Sequence, residues 1–198
     1  ARAQSPAIAQ ARIQALQARI RPHFLFNSIN AVLSLIRSNP KRAERALEDL
    51  ADLFRVLMAD NLAFAPIAKE IDIARQYLAI EELRLGERLR VAWRIDRMPA
   101  DALVPALLLQ PLVENAVYHG IEPLEEGGEI AIEVGGTAEE LLIRLTNPLR
   151  AGGDHHAGNR MALANIRERL QLHFDAEASL QARARGPTYE VTLRLPYI

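Results

Sequence analysis

The stretch Leu109-Gln110-Pro111-Leu112-Val113-Glu114-Asn115-Ala116-Val117-Tyr118-His119-Gly120 constrains this chain more than any other. Leu108, Leu112 and Ala116 fall on one helical stripe, with Leu109, Val113 and Val117 at neighbouring positions. The segment therefore reads as an amphipathic helix that needs a core to bury it. Pro105 is the expected early helical position and Gly120 the expected stop. Glu114 and Asn115 interrupt the apolar run, where neither is cheap to bury without a partner. An acid beside an amide is able to orient a water and to hold a divalent cation through side-chain oxygens. A solvent-facing Glu-Asn pair is the plain alternative.

The rest of the pattern supplies the layers. Ile8 to Arg37 reads as a helix with a broad apolar face, kinked just before His23 by Pro22, which removes a helical hydrogen bond. After the Asn39-Pro40 turn, a second helix opens at Lys41 and carries Ala43, Ala46, Leu50, Leu53 and Leu57 as a heptad seam. Two such helices in an antiparallel hairpin leave apolar surface over, and a symmetric dimer forming a four-helix bundle is the expected closure. An intramolecular bundle is the other solution. Asp60 to Pro66 breaks the pattern, and Ile67 to Leu85 is a third helix ended by Gly86.

Beyond Gly86 the period shortens. Leu89 to Ile95 alternates as a strand, and Glu129–Val134 and Leu141–Leu145 read as a pair joined by Gly135-Gly136. Pro148 to Asn159 reads as a mobile loop, followed by a helix from Met161 to Phe174. Ser179–Arg183 and Tyr189–Leu195 form a closing hairpin around Arg185-Gly186-Pro187. The fold class is α+β: a helical hairpin at residues 1–66, a connecting helix at 67–86, and an α/β sandwich of one sheet and one helical layer at 87–198.

Arg21-Pro22-His23-Phe24-Leu25-Phe26-Asn27 and Pro111-Leu112-Val113-Glu114-Asn115-Ala116-Val117-Tyr118-His119-Gly120 resemble the phosphoacceptor block and the N box of LytS-type sensor histidine kinases. Asn165-Ile166-Arg167-Glu168-Arg169-Leu170 is similar to the segment after that family's glycine-rich box, and the connecting helix carries a similar Tyr77-Leu78…Glu81 segment. The resemblance covers nearly the whole chain in order. It implies a Bergerat-type (GHKL) ATP-binding domain, autophosphorylation from ATP with magnesium, a homodimer, and a response regulator as the phosphate acceptor, of the LytTR type. It also implies the cytoplasmic part of an inner-membrane protein, with a membrane sensor upstream of Ala1; the chain reads as an excised portion of something longer.

His23 is then the phosphoacceptor, its imidazole neutral and nucleophilic near neutral pH. Phe24 follows it where other histidine kinases place an acid, so Glu114 is the candidate general base, and Asn27, one turn on, orients the ring. The resemblance makes Asn115 the magnesium ligand and places His119 and Gly120 on the phosphate side. Asn147 stands where the family has an acid that accepts from the adenine amino group. The glycine-rich box is eroded to Gly158-Asn159-Arg160-Met161-Ala162-Leu163, with Asn165 beyond it. If positions 160 and 162 need positive φ, Arg160 and Ala162 weaken nucleotide binding. A degenerate kinase fold that only dimerises and docks a regulator is the competing reading.

Composition excludes other classes. A formal net charge of −1 argues against a sequence-independent nucleic-acid binder. Zero cysteines remove disulfides, thiolate nucleophiles and zinc-cysteine sites. Arg167, Arg169, Arg183 and Arg185 read as solvated surface.

Overall fold

The computed structural model describes residues 22–58, 64–137, 139–150 and 156–196, apart from the side chains of Pro22 and of residues 156–161. Helix α1 (Pro22–Leu35) and helix α2 (Pro40–Met58) form the hairpin. Asn39 caps α2 by accepting from the Arg42 N–H at 3.1 Å, with Pro40 at a first-turn position where it loses no bond. The expected kink and the helix from Ile8 to Arg21 lie outside the described residues.

Strand β1 (Phe64–Pro66) leads directly into the connecting helix α3 (Ile67–Leu85). Strands β2 (Leu89–Arg94), β4 (Gly128–Gly136), β5 (Glu140–Pro148), β6 (Ser179–Arg185) and β7 (Thr188–Pro196) build a five-stranded sheet in the order β2-β4-β5-β7-β6. Only β2–β4 is parallel; the other pairs are antiparallel. Strand β3 (Leu103–Pro105) pairs separately with β1. Helix α4 (Gln110–Asn115) continues as a π-helical segment, Ala116–Ile121, and helix α5 (His156–Phe174) precedes β6.

Period-two alternation turns Ile130, Ile132 and Val134 of β4, Ile143 and Leu145 of β5, and Val191 and Leu193 of β7 to one face. That face packs beneath α3, the α4 segment and α5. The opposite face is closed by charge. Arg94, Glu133, Arg144, Glu190 and the pair Arg183 and Arg185 form a row of ion pairs across all five strands. Arg183 and Arg185 are thus partners of a buried carboxylate, not merely solvated.

The hairpin is not a separate unit. Phe24 stacks on Tyr77 of α3 at 4.8 Å and on Phe54 of α2 at 6.5 Å. Leu50, Leu53 and Leu57 belong to the same buried cluster as the sheet residues. The seam assigned from the heptads to a dimer interface is therefore closed within the chain, because α3 lies against both hairpin helices. What stays uncovered on α1 is a second stripe, Phe26, Ile29, Leu33 and Ile36, together with Leu47 and Met58 on α2.

Four boundaries differ from the sequence expectation. Pro105 ends β3 instead of starting a helix, because β1 pairs with that segment. The α4 segment runs through Gly120 to Ile121. Gly135 and Gly136 lie inside β4, and Thr137 makes the turn by accepting from the Glu139 and Glu140 amides. Helix α5 begins at His156, shortening the expected loop.

Because Leu50 and Leu57 are 4% and 1% exposed within one chain, replacing both with lysine should destabilise the fold itself. The expected loss is on the order of several kcal/mol, from unpaired buried charge, read as a lowered denaturation midpoint.

Candidate functional site

The α4 segment crosses the sheet so that Asn115 and His119 face β5 and β7. With Leu112, Ala116, Leu145, Asn147, Leu149, Tyr189 and Val191 they line a narrow cleft. Its walls are apolar and its polar groups are few, the composition of a small-molecule site. Asn115 and Asn147 are each 6% exposed, so both amides are held by the fold. Asn147 donates through Nδ2 to the Pro148 carbonyl at 2.8 Å.

Gly120 explains why the helix widens here. A Cβ at that position would lie 2.5 Å from Asn147 Nδ2 and 2.9 Å from Asn147 Cβ. The absence of a side chain lets the segment sit directly on the Asn147 side chain. The π geometry, with the Glu122 N–H donating to the Val117 carbonyl at 3.0 Å, belongs to that close approach. Gly120 thus serves packing against Asn147.

Glu114 is half-buried and its Oε1 accepts from Gln110 Nε2 at 2.9 Å. Gln110, one turn earlier and 3% exposed, was not singled out by the sequence; its spacing of four from Glu114 was the available signal. Among the described residues no cluster of three or more His, Cys, Asp or Glu is arranged to hold a metal. The Asn115 amide oxygen and Glu114 fit a hard cation that takes most of its other oxygens from a phosphate-bearing ligand and water. They do not make a metal centre by themselves.

At the hairpin, His23 is exposed and Asn27 Nδ2 lies 3.1 Å from its Nδ1. The same amide nitrogen lies 3.3 Å from Nε2, so it sits between the two ring nitrogens. The neighbouring Phe24 packs on Tyr77, and the negative charges of Glu81 and Glu114 add to deep burial in pushing the Tyr77 phenol well above its ordinary range.

The glycine-box positions fall elsewhere than expected. Gly158, Arg160 and Leu163 lie in the first turns of α5, and Asn165 is exposed two residues beyond. In a helix positions 160 and 162 take negative φ, so Arg160 and Ala162 carry no left-handed penalty in this arrangement. Leu163 is buried in the core. The Arg160 side chain lies outside the described residues.

Two residues hold the turn ahead of the α4 segment, Glu70 of α3 and Arg169 of the 165–170 segment. Leu107 is left-handed, with φ 57°, a conformation costing a non-glycine residue about 1–2 kcal/mol. Glu70, 2% exposed on α3, offsets this by accepting from the Leu107 and Leu109 N–H groups at 2.7 and 3.0 Å. Arg169 of α5 donates to the Ala106 carbonyl from the other side, so it is a structural clamp and not a solvated arginine. An acid at 70 on the apolar face with Ile67, Ile71 and Ala74 was the sequence signal for this contact.

Burial raises the Glu70 carboxyl above the usual glutamate range, and the backbone amides and Arg169 pull it only partly back. A carboxyl with a raised folded pKa contributes stability that is present below the unfolded value and is lost as pH rises through the folded one. Stability measured by denaturant at stepped pH should therefore fall between the ordinary glutamate value and the raised one, and this fall should flatten in Glu70→Gln.

A histidine kinase family model matches residues 11–89. The sensor histidine kinase YpdA of Escherichia coli K12 is 34% identical over 94% of this chain, and the sensor protein LytS of Staphylococcus saprophyticus is 32% identical over 100% of it. The chain spans 34% and 36% of those two relatives, about a third of their length. Among solved structures, the histidine kinase domain of the Erythrobacter litoralis EL346 blue-light activated kinase superposes with a TM-score of 0.54 at 17% identity, covering 97% of this chain and 95% of that one. The catalytic domain of the histidine kinase ThkA gives 0.51 at 14% identity, covering 69% of this chain and 96% of that one. These two likenesses bear on the fold, which is that of histidine kinase catalytic domains. With the phosphoacceptor block, the N box and near full-length similarity to these sensors all in one order, the chain belongs to the LytS-type sensor histidine kinase family.

Proposed function

We propose that this chain transfers the γ-phosphoryl group of ATP to His23 and passes it to an aspartate of a response regulator, of the LytTR type that the family resemblance implies. The observation that carries the reading is the apolar cleft with Asn115 and Asn147 buried at its polar points, in the same chain as an imidazole already engaged by an amide. Asn147 Oδ1 accepts from the adenine amino group, a neutral acceptor in place of a carboxylate. Asn115 Oδ1 and His119 face the phosphates. Magnesium, when bound, neutralises phosphate charge as the phosphoryl group leaves.

Proton handling falls to Glu114. One ring nitrogen of His23 attacks the γ-phosphorus through its lone pair, and the proton carried by the other ring nitrogen is then shed to a base. Glu114, held by Gln110 through Oε1, takes that proton. As the nitrogen–phosphorus bond forms, the bond from the γ-phosphorus to its bridging oxygen breaks and ADP departs.

The chain works as a homodimer through the uncovered α1 stripe. Phe26, Ile29, Leu33 and Ile36 recur at spacings that keep them on one side of the helix, all exposed on a single copy. Leu33→Glu with Ile36→Glu should give a folded monomer by light scattering. A persistent dimer would place the interface elsewhere.

A nucleotide titration with and without magnesium tests the site, and radiolabelled ATP tests the acceptor. His23→Gln should lose all acid-labile label and keep nucleotide affinity. Asn115→Ala should lose the magnesium-dependent part of binding and keep the melting temperature. One observation favours the competing reading of a docking module: the glycine-box positions 158–163 stand in helix α5. Wild-type protein that binds no nucleotide at millimolar concentration would decide for that reading.

A further inference from the structure

Helix α3 touches the α4 segment at both of its ends, and each contact is electrostatic. At the start, Glu70 reaches from the first turn of α3 to the Leu107 and Leu109 amides, just ahead of Gln110. At the finish, Arg84 from the last turn of α3 pairs with Glu122, the residue after the π segment, and with the buried Glu81. Arg88 adds bonds to the Glu122 and Leu124 carbonyls at 3.1 and 2.8 Å. Between the two ends Tyr77 carries Phe24, the neighbour of His23.

The two ends are not equivalent. The Arg84 contacts are partly exposed and have alternatives in two acids. Glu70 is enclosed, and both of its oxygens are committed to consecutive-turn amides of one left-handed turn. A carboxylate is the one side chain that accepts through both oxygens at full strength; an amide of the same shape presents one acceptor and one donor. The turn it fixes sets the start of the α4 segment, which carries Gln110 and Glu114 and places Asn115 in the cleft.

We propose that Glu70 is a positioning residue for the nucleotide site: it locks the Leu107–Leu109 turn to α3 and so fixes the orientation in which Glu114 and Asn115 are presented. The inference rests on the reading of Asn115 as a nucleotide-side residue, and it adds a residue of α3 to those that shape the cleft. It also makes α3 the part through which a displacement of the phosphoacceptor hairpin reaches the cleft, since α3 bears Phe24 on one side and Glu70 on the other.

Glu70→Gln preserves shape and exchanges one acceptor for a donor facing an amide. Ile71→Val, on the next residue and equally buried, is the packing control. In the 198-residue chain without nucleotide, the Asn115 side-chain amide and the Leu107 and Leu109 backbone amides are followed by nitrogen-15 NMR. The expected result is displacement of the Asn115 signal in Glu70→Gln and not in Ile71→Val, with a melting temperature close to that of the control. Magnesium-dependent ATP binding should then weaken about tenfold in Glu70→Gln alone, about 1.4 kcal/mol. Glu70→Asp, which keeps the charge and shortens the reach, gives the same readout should the glutamine variant fail to fold. An Asn115 signal that stays in place when Glu70 is changed overturns the proposal. A displaced Asn115 signal in a protein that binds no ATP even as wild type sustains the positioning role and overturns the nucleotide reading.

Discussion

The carboxylate of Glu70 is the contact on which the arrangement of the site depends. It is an acid removed from water, and it is tolerated because it accepts from two backbone amides of a left-handed turn. Burial of the charge and strain at Leu107 are each unfavourable alone, and together they satisfy one another. The short β1–β3 ladder has the same location, holding Leu103 to Pro105 against the start of α3. Between them, the ladder and the carboxylate set the point at which the α4 segment leaves the strand and enters the helical layer.

From that point the geometry follows by packing. The α4 segment is apolar on the side facing the sheet, and Gly120 allows it to rest on Asn147 without an intervening side chain. The cost is a loss of regular α-helical hydrogen bonding, taken up by the π segment. The result brings amides from two separate elements, Asn115 and Asn147, to one cleft with apolar walls. On the other face of the sheet, among the described residues, arginines spanning the strands pair with Glu133 and Glu190.

Helix α3 joins the two halves of the molecule by shared burial. Its inner residues contribute to the same cluster as Phe24, Leu53 and Leu57 of the hairpin and as Ile132 and Leu193 of the sheet. Hairpin and sheet are therefore mechanically continuous through α3. The α1 stripe that remains outside this cluster is the apolar surface left for association with another chain.

Much of the molecule was legible in order and period. Alternation marked the strands of the main sheet, the three-four spacing marked the helices, and the motifs around His23, Glu114 and Asn115 marked the family, since these signals are local in the chain. Asn27 was assigned to the His23 ring from spacing alone, and it lies against that ring. The destination of the Leu50–Leu57 seam was not legible, because a heptad states that a face is apolar and not which surface covers it; α3 covers it here. The left-handed Leu107, the end of β3 at Pro105 and the placement of Gly120 on Asn147 depend on partners 37, 41 and 27 residues away, namely Glu70, Phe64 and Asn147. Periodicity carries no term for such long-range pairing. The sequence by itself determined which residues are apolar, which are reactive and in what order they come; only the tertiary structure decided which amides Glu70 would satisfy, and with them the direction in which Glu114 and Asn115 face.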